Sequence, residues 1–243
     1  MRSQFILIIL FTLILSVVSC TSTQISSAMK TASDFMQEDG ALSTSDVIAG
    51  LKEALVKSAE NSTASAAKTD GYLRNLEIKI PFPPEIEKIE STLRNVGLNK
   101  PVDDFIASIN RAAEQAAQEA KPLFINAITS MTIEDAWGIL KGDNHAATTY
   151  LKDKTSPQLK VRFEPIINNA LNKVNATKYY ADMTTQYNRI PFVTKVETDL
   201  AKYVSQKAID GLFILVAKEE EKIRQDPLAR TTELLQRVFA ETK

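Results

Sequence analysis

Hydrophobic positions along this chain recur at three- and four-residue spacing over most of its length, and that period predicts helices. Val47, Ile48, Leu51, Leu55, Val56 and Ala59 mark one face of a helix opening at Ser43 or Ser45 and running weakly through an Ala/Ser stretch to Asp70-Gly71. The period breaks at Ile78-Lys79-Ile80-Pro81-Phe82-Pro83-Pro84. Prolines packed this densely continue neither a helix nor a central strand, so 78–84 is predicted as an extended connector. Pro84 then suits the first turn of a helix carrying Ile86, Ile89, Leu93 and Val96 and stopped by Gly97. A long Ala-rich helix is expected from about Pro101 to Met131, with Phe105, Ile109, Ala112, Ala113 and Ala116 inward and a kink at Pro122. Its small residues would let a neighbouring helix approach closely.

Thr132-Ile133-Glu134-Asp135 has the form of a helix N-terminus, and Gly142 is the matching stop. A short segment near 144–154 is expected next, then a separate helix opening at Ser156-Pro157 and bending at Pro165, with Leu159, Phe163, Ile166, Ile167, Ala170, Leu171 and Val174 inward. Thr177–Tyr187 reads as a short aromatic helix ended before Pro191. In the segment Glu197–Gln225, residues Gly211 to Ala217 are apolar all round, which marks a helix buried on every side. Asp226-Pro227 would close it and cap a last helix bearing Leu228, Leu234, Leu235, Val238 and Phe239. No alternating β-branched run and no repeat of fixed period is present, so the expected architecture is all-α. It is a single multi-helix bundle over 43–243 built around the buried helix near 200–224.

The N-terminus carries a different kind of signal. Arg2 precedes an apolar run from Phe5 to Leu15, followed by Ser16-Val17-Val18-Ser19 and Cys20. A positive start, a short apolar stretch and small residues before a cut site describe a secretory signal over 1–19. The run falls short of the roughly 20 residues a spanning helix needs. Val17-Val18-Ser19-Cys20 resembles the bacterial lipobox, which implies cleavage before Cys20 and lipid on its thiol. The chain's only Cys sits where that motif requires it. Several acyl chains would anchor stably where one binds marginally. Thr21 at the next position favours the outer membrane by analogy with enteric sorting rules. Residues 20–42 are then the lipidated Cys and either a Ser/Thr-rich tether or a short amphipathic helix through Ile25, Ala28, Met29, Ala32, Phe35 and Met36.

Composition narrows the chemistry. One His and one Cys cannot build a zinc finger, a disulfide framework or a multi-His catalytic metal site. Only seven Gly, with no phosphate-cradling motif, remove the usual nucleotide loops, and a formal net charge of −1 does not suggest nucleic acid as a partner. No metal or cofactor is implied. His145, the only imidazole, stands in a turn and is expected to be solvated or capping; no catalytic residue is assigned.

Carboxylates and arginines are what remains. Asn110 and Glu114 share a helix face with Arg111, and Glu220 and Arg224 form a pair one turn apart. Asp210, at the edge of the apolar stretch, is expected to be largely buried and paired with Lys207 or an Arg from another helix. Arg111, Glu114, Asp210, Glu220, Arg224 and Arg230 are therefore candidates for a polar pocket or, more simply, for interhelical ion pairs that fix the bundle's register. Tyr179, Tyr180, Tyr187, Phe192 and Tyr203 cluster around Pro191 and could line a groove for a glycan or apolar ligand, or fill the gap between two helices.

Several blocks in order carry a resemblance: Gly50 to Leu55, Asp70-Gly71-Tyr72, Ile78 to Pro81, Asn110 to Glu114, Ala146-Ala147-Thr148, Lys207 to Phe213 and Pro227 to Arg230 with Leu234-Leu235. Together they resemble the bacterial family catalogued as domain of unknown function 4197, over about residues 45–241. The resemblance implies an exported, helical, single-domain protein and brings no catalytic residue with it. The expectation is a lipid-anchored, periplasm-facing envelope protein that binds a protein partner or a small apolar molecule. The alternative is a carboxylate-based enzyme of hydrolase or transferase type.

Overall fold

A computed structural model of the chain describes residues 43–226 except 84–86, 190, 193, 194, 196 and 198, together with 232 and 236. The signal, Cys20, the segment 21–42 and the expected last helix through Leu228 and Phe239 lie outside the described residues. Those residues form helices α1 (Thr44–Ala67), α2 (Glu87–Asn95), α3 (Asn99–Ala117), α4 (Ala120–Thr129), α5 (Ile133–Lys141), α6 (Ala146–Asn172), α7 (Ala176–Tyr187) and α8 (Leu200–Gln225). No strand occurs among them. The architecture is all-α, as the periodicity predicts.

The core lies between the three longest helices. α8 packs on α6, α1 and α3, and α6 also covers α3 and α4. Phe213 of α8 meets Phe124 of α4 with ring centroids 5.6 Å apart. The small residues Ala112, Ala113, Ala116 and Ala117 of α3 are all buried. α8 is central, but it is not apolar to every side: Ile214 is 41% exposed. It falls on the outward stripe of Gln206, Asp210 and Lys218, one turn apart, which the helical period holds in or near solvent whatever residue occupies it.

Local chemistry explains where the helices end. α2 stops at Gly97, whose φ of 86° places it in the left-handed region. The Leu98 N–H donates to the Leu93 carbonyl at 2.9 Å and the Gly97 N–H to Arg94 at 3.0 Å, the paired bonds of a Schellman turn. α5 opens with the predicted capping box: the Thr132 hydroxyl accepts from the Asp135 N–H while the Asp135 carboxylate accepts from the Thr132 N–H. α8 is capped by Asp199, whose carboxylate accepts from the Lys202 N–H at 3.1 Å.

Two expectations are corrected. The long helix 101–131 is two helices, and the break falls at Gln118-Glu119 instead of at Pro122. Proline's ring collides with the carbonyl four residues earlier, here that of Gln118, so the chain resets there and Pro122 sits in the first turn of α4, where no N–H is required. The short segment 144–154 and the helix from Ser156 are one continuous helix, α6, with Pro157 and Pro165 inside it. Both prolines are exposed, as are Asp153 and Val161, four residues before each. Water can therefore reach the carbonyls those prolines leave unpaired. On the opposite side Leu151, Leu159, Phe163, Ile167 and Leu171 are fully buried and hold the helix together. Of the other residues expected inward, Ile166 and Ala170 lie at the edge of that stripe and are half-buried, and Val174 falls past the end of α6 and is exposed.

The proline-rich connector, described through Pro83, is non-helical beyond the turn at Ile78, and it lies along the edge of the core with alternate side chains turned inward. Ile78, Ile80 and Phe82 are buried while Lys79 and Pro81 are exposed, the alternation of a strand without a neighbouring strand. Gly211 of α8 makes room for it: a Cβ there would stand 3.0 Å from both the Ile78 Cβ and the Tyr72 ring.

Candidate functional site

The predicted polar residues of α3 serve this connector. Asn110 is fully buried and takes the place of a strand partner. Its Oδ1 accepts from the Ile80 N–H at 2.8 Å, and its Nδ2 donates to the Ile80 carbonyl at 2.8 Å and to Ile106 of its own helix. One turn on, Glu114 Oε1 accepts from the backbone N–H groups of Tyr72 and Leu73 at 3.1 and 3.2 Å. Its Oε2 accepts from Arg111 at 2.7 Å, and Arg111 reaches Asp70 at 2.6 Å. The bond to Glu114, reinforced by Asp70, holds the Arg111 guanidinium above its ordinary pKa despite partial desolvation. Tyr72 closes the set by donating to the Ala208 carbonyl at 2.6 Å. Burial, and then the charge of Glu114, push its hydroxyl far above the usual tyrosine range.

Glu220 and Arg224 have a second and separate task. The N-cap of α6 is His145, which offers no side-chain cap. Glu220 supplies one from α8: its carboxylate accepts from the N–H groups of Ala147 and Thr148 at 3.0 and 2.8 Å and from the Thr148 hydroxyl at 2.8 Å. A buried anion at a helix N-terminus answers both the free N–H groups and the dipole. Arg224 binds the same carboxylate at 2.9 Å and donates to the Ile139 carbonyl at 2.8 Å, near the end of α5. One ion pair thus caps two helices.

The remaining predicted polar residues do not join either set. Asp210 is half-buried instead of largely buried, and its carboxylate accepts from Gln206 at 3.0 Å. Lys207, its expected partner, lies over the Tyr203 ring at 5.9 Å. The helical turn explains the difference: Asp210 shares the outward stripe of Gln206. Arg230 falls outside the described residues. The structure thus divides the candidate residues between two sets that fasten different elements. Glu114 and Glu220 spend their oxygens on N–H, hydroxyl and guanidinium donors, the arrangement of structural caps.

A groove does occur, and it takes in two of the five predicted aromatics. A cavity of about 500 Å³ opens between α2, α3 and α7. Leu93 of α2 forms one wall; Pro101, Val102, Asp104, Phe105 and Ser108 of α3 form the floor; Val174, Ala176, Tyr179 and Tyr180 form the other wall; and Phe82 closes the connector end. Phe82 and Phe105 meet at 5.0 Å with their rings tilted by 52°. Tyr180 is buried and donates to the Glu197 carbonyl at 3.0 Å, so it is a fixed wall. Tyr179 and Val174, 68% and 55% exposed, form the rim. Of the other predicted aromatics, Phe192 stands in solvent on a left-handed backbone, Tyr203 is a half-buried residue of α8 outside this lining, and the Tyr187 side chain is not among those described. Phe82 and Phe105 were missed as groove residues. The alternation of apolar Ile78, Ile80 and Phe82 with Lys79 and Pro81 is the sequence signal that would have placed Phe82 inward.

The fold is thus all-helical, with its polar blocks tying a connector into the core. A family model described as protein of unknown function, DUF4197, matches residues 41–240. The chain belongs to that family. The match covers all eight helices and both walls of the groove, so the connector and its fastenings are parts of the family's domain. Neither curated proteins nor solved structures gave a match. No helix among the described residues is long and apolar enough to cross a membrane.

Proposed function

We propose that this chain is an exported, lipid-anchored protein of the bacterial envelope, facing the periplasm from the outer membrane, that binds a small apolar ligand in the groove between α2, α3 and α7. The groove carries the reading. Its volume falls in the range of small-molecule sites, and its walls are aliphatic and aromatic with few polar groups, the composition such sites share. Exposing Tyr179 and Val174 at its rim places apolar surface in water that a ligand would cover. The anchor rests on the N-terminal run and on Cys20.

Native mass spectrometry of the protein taken from its own membranes tests the binding. An apolar small molecule should accompany the wild type and be lost from Val174→Asp and Tyr179→Asp, two exposed positions where a carboxylate leaves the core intact. A ligand-free wild type, or equal retention by the variants, overturns the reading. Labelling with an acyl precursor tests the anchor: incorporation should vanish in Cys20→Ala, and a label that persists there refutes it.

A further inference from the structure

The groove's charge is as distinctive as its apolarity. Among the described residues that line it Asp104 is the only ionisable side chain other than the tyrosines, and none is a Lys or Arg. Two cations of α2 and α3 close to it in sequence are committed to acids. Lys100 holds Asp104 at 2.6 Å from the preceding turn of α3, on a largely exposed side chain. Arg94 of α2 bridges Glu90 and Asp103, both at 2.9 Å. On this side Glu90, Asp103 and Asp104 thus stand against Arg94 and Lys100; on the other, Lys173 and Lys178 adjoin the rim residues Val174 and Tyr179 but are exposed and lie outside the lining. The N-terminus of α3, partly positive, opens beside the groove at Pro101, but Asp103 and Asp104 follow within its first two turns and offset that field. The other polar groups facing the groove are the Ser108 hydroxyl, which donates to the Phe105 carbonyl at 2.7 Å and keeps its lone pairs to accept, and the Tyr179 phenol. An incoming carboxylate would meet an acid and the Ser108 acceptor, with the Tyr179 phenol as the one hydroxyl left to donate to it. An ammonium would meet a carboxylate whose present partner is a largely exposed lysine that it can displace.

We infer that the groove selects a single-chain amphiphile with a positively charged head, its alkyl chain lying between Phe105 and the α7 wall and its head at Asp104. This rests on the groove being a binding site, and deepens that reading by naming the ligand's class. Carboxylate-headed lipids are disfavoured by the same geometry. The expected discrimination is moderate, because Asp104 is largely exposed and its field is screened: about three- to five-fold between heads of opposite sign.

Photo-crosslinking of the full chain in nanodiscs of zwitterionic lipid tests it, with three decyl probes bearing one diazirine and an ammonium, hydroxyl or carboxylate head. Labelling of peptides containing Phe105 or Tyr179 is read by mass spectrometry against labelling of the nanodisc scaffold. The ammonium probe should label them most and the carboxylate probe least. Asp104→Asn should remove about three- to five-fold of the ammonium labelling and leave the hydroxyl probe unchanged, and raised salt should narrow the wild-type difference. Equal or greater labelling by the carboxylate probe, or an ammonium preference that survives Asp104→Asn, overturns the inference while leaving a binding groove in place. Absence of labelling on α3 and α7 by every probe overturns both the inference and the proposed function.

Discussion

Replacing Asn110 with Ala removes the one side chain that pairs both backbone groups of Ile80. In wild type those groups lie at a residue only 1% exposed, and each bond is 2.8 Å long. The replacement is costly because the partners are main chain. A buried side-chain pair can be exchanged for two apolar residues with little loss, but the Ile80 N–H and C=O cannot be taken away. Each buried group left without a partner costs about 1–3 kcal/mol, so the pair costs about 2–6 kcal/mol, the lower end applying if water enters the vacated space. The third bond, to the Ile106 carbonyl, supplements one that α3 already makes, and the better helix propensity of Ala returns only about 0.5 kcal/mol. The net loss is then about 1.5–5.5 kcal/mol, and at about 2–4 °C per kcal/mol for a domain of this size the melting temperature should fall by about 3–22 °C.

Thermal unfolding by circular dichroism, with hydrogen exchange of the segment 76–83, checks this. Exchange at Ile78 and Ile80 should quicken more than in α6, because the connector loses its hydrogen bonds to α3 while the helices keep theirs. Phe82 follows two residues later and closes one end of the groove, so labelling of Phe105 by the ammonium-headed probe should weaken as well. A shift of under about 2 °C with unchanged exchange at Ile80 would mean that the connector is held by its buried side chains alone, and the account of Asn110 would be wrong.

Glu220→Ala should be among the most damaging changes, because it strands Arg224 beside the unpaired N–H groups of Ala147 and Thr148; about 3–5 kcal/mol is expected in urea unfolding, against under about 0.5 kcal/mol for the exposed neighbour Glu221→Ala. A loss below about 1 kcal/mol for Glu220→Ala would refute the capping role. Gly211→Ala and Gly138→Ala should differ in sign. The first forces a methyl to 3.0 Å from Ile78 and Tyr72 and should destabilise by about 1–3 kcal/mol, whereas the second meets open space inside α5 and should stabilise by about 0.5–1 kcal/mol. Equal melting temperatures would remove the close approach from the explanation. The capping box of α5 predicts a pH dependence: the N–H of Thr132, then its hydroxyl, hold the Asp135 carboxylate below its ordinary pKa. A carboxylate depressed in the folded state stabilises above its unfolded pKa and loses that contribution as pH falls through the folded one. The stability difference between wild type and Asp135→Asn should therefore shrink as pH drops below the usual carboxylate range, and a constant difference would contradict it.

Which parts of this were legible in the sequence follows from the range of the forces involved. The start of α5 at Thr132, its stop at Gly142 and the Gly97 turn are set by residues within one turn of each other, so a local reading finds them. The same reading misjudged α6, because Ser156-Pro157 carries every mark of a helix start. What overrides it is non-local: a stripe from Leu151 to Leu171 packed against α8 and α3, with both prolines turned to water. A proline in a helix costs about 3 kcal/mol, while burying even two large apolar side chains returns about as much or more. Asp210 failed for the opposite reason. Its neighbours in sequence are apolar, but burial on a helix is decided by angle, and its angle is that of Gln206. The acids and arginines were found as residues and not as partners, since nothing in the sequence says that Glu220 reaches the start of a helix more than seventy residues earlier.

The groove was hardest to foresee because it is a volume that no residue fills. α2 has nine residues, none of them buried, and a helix so short does not hold itself in water. It stays because the Schellman turn at Gly97 fixes its exit, the Arg94–Asp103 pair ties it across to α3, and Ile89 and Leu93 are half-covered. A longer helix with a full apolar stripe would have packed down on Phe105 and Tyr180 and closed the space. The proline-rich connector prevents that: it occupies the length of chain a longer helix would need, and Asn110 pins it along α3. The bonds that tie 70–82 into the core and the opening beside Phe82 are therefore two results of one arrangement. That arrangement leads to a prediction about coupling. Arg94→Ala, which removes the tie between α2 and α3, should change probe labelling of Phe105 while costing little in global stability, because the pair is partly exposed and α2 buries nothing. Large global destabilisation from Arg94→Ala would show instead that α2 is part of the core, and that the groove is a packing defect of the bundle.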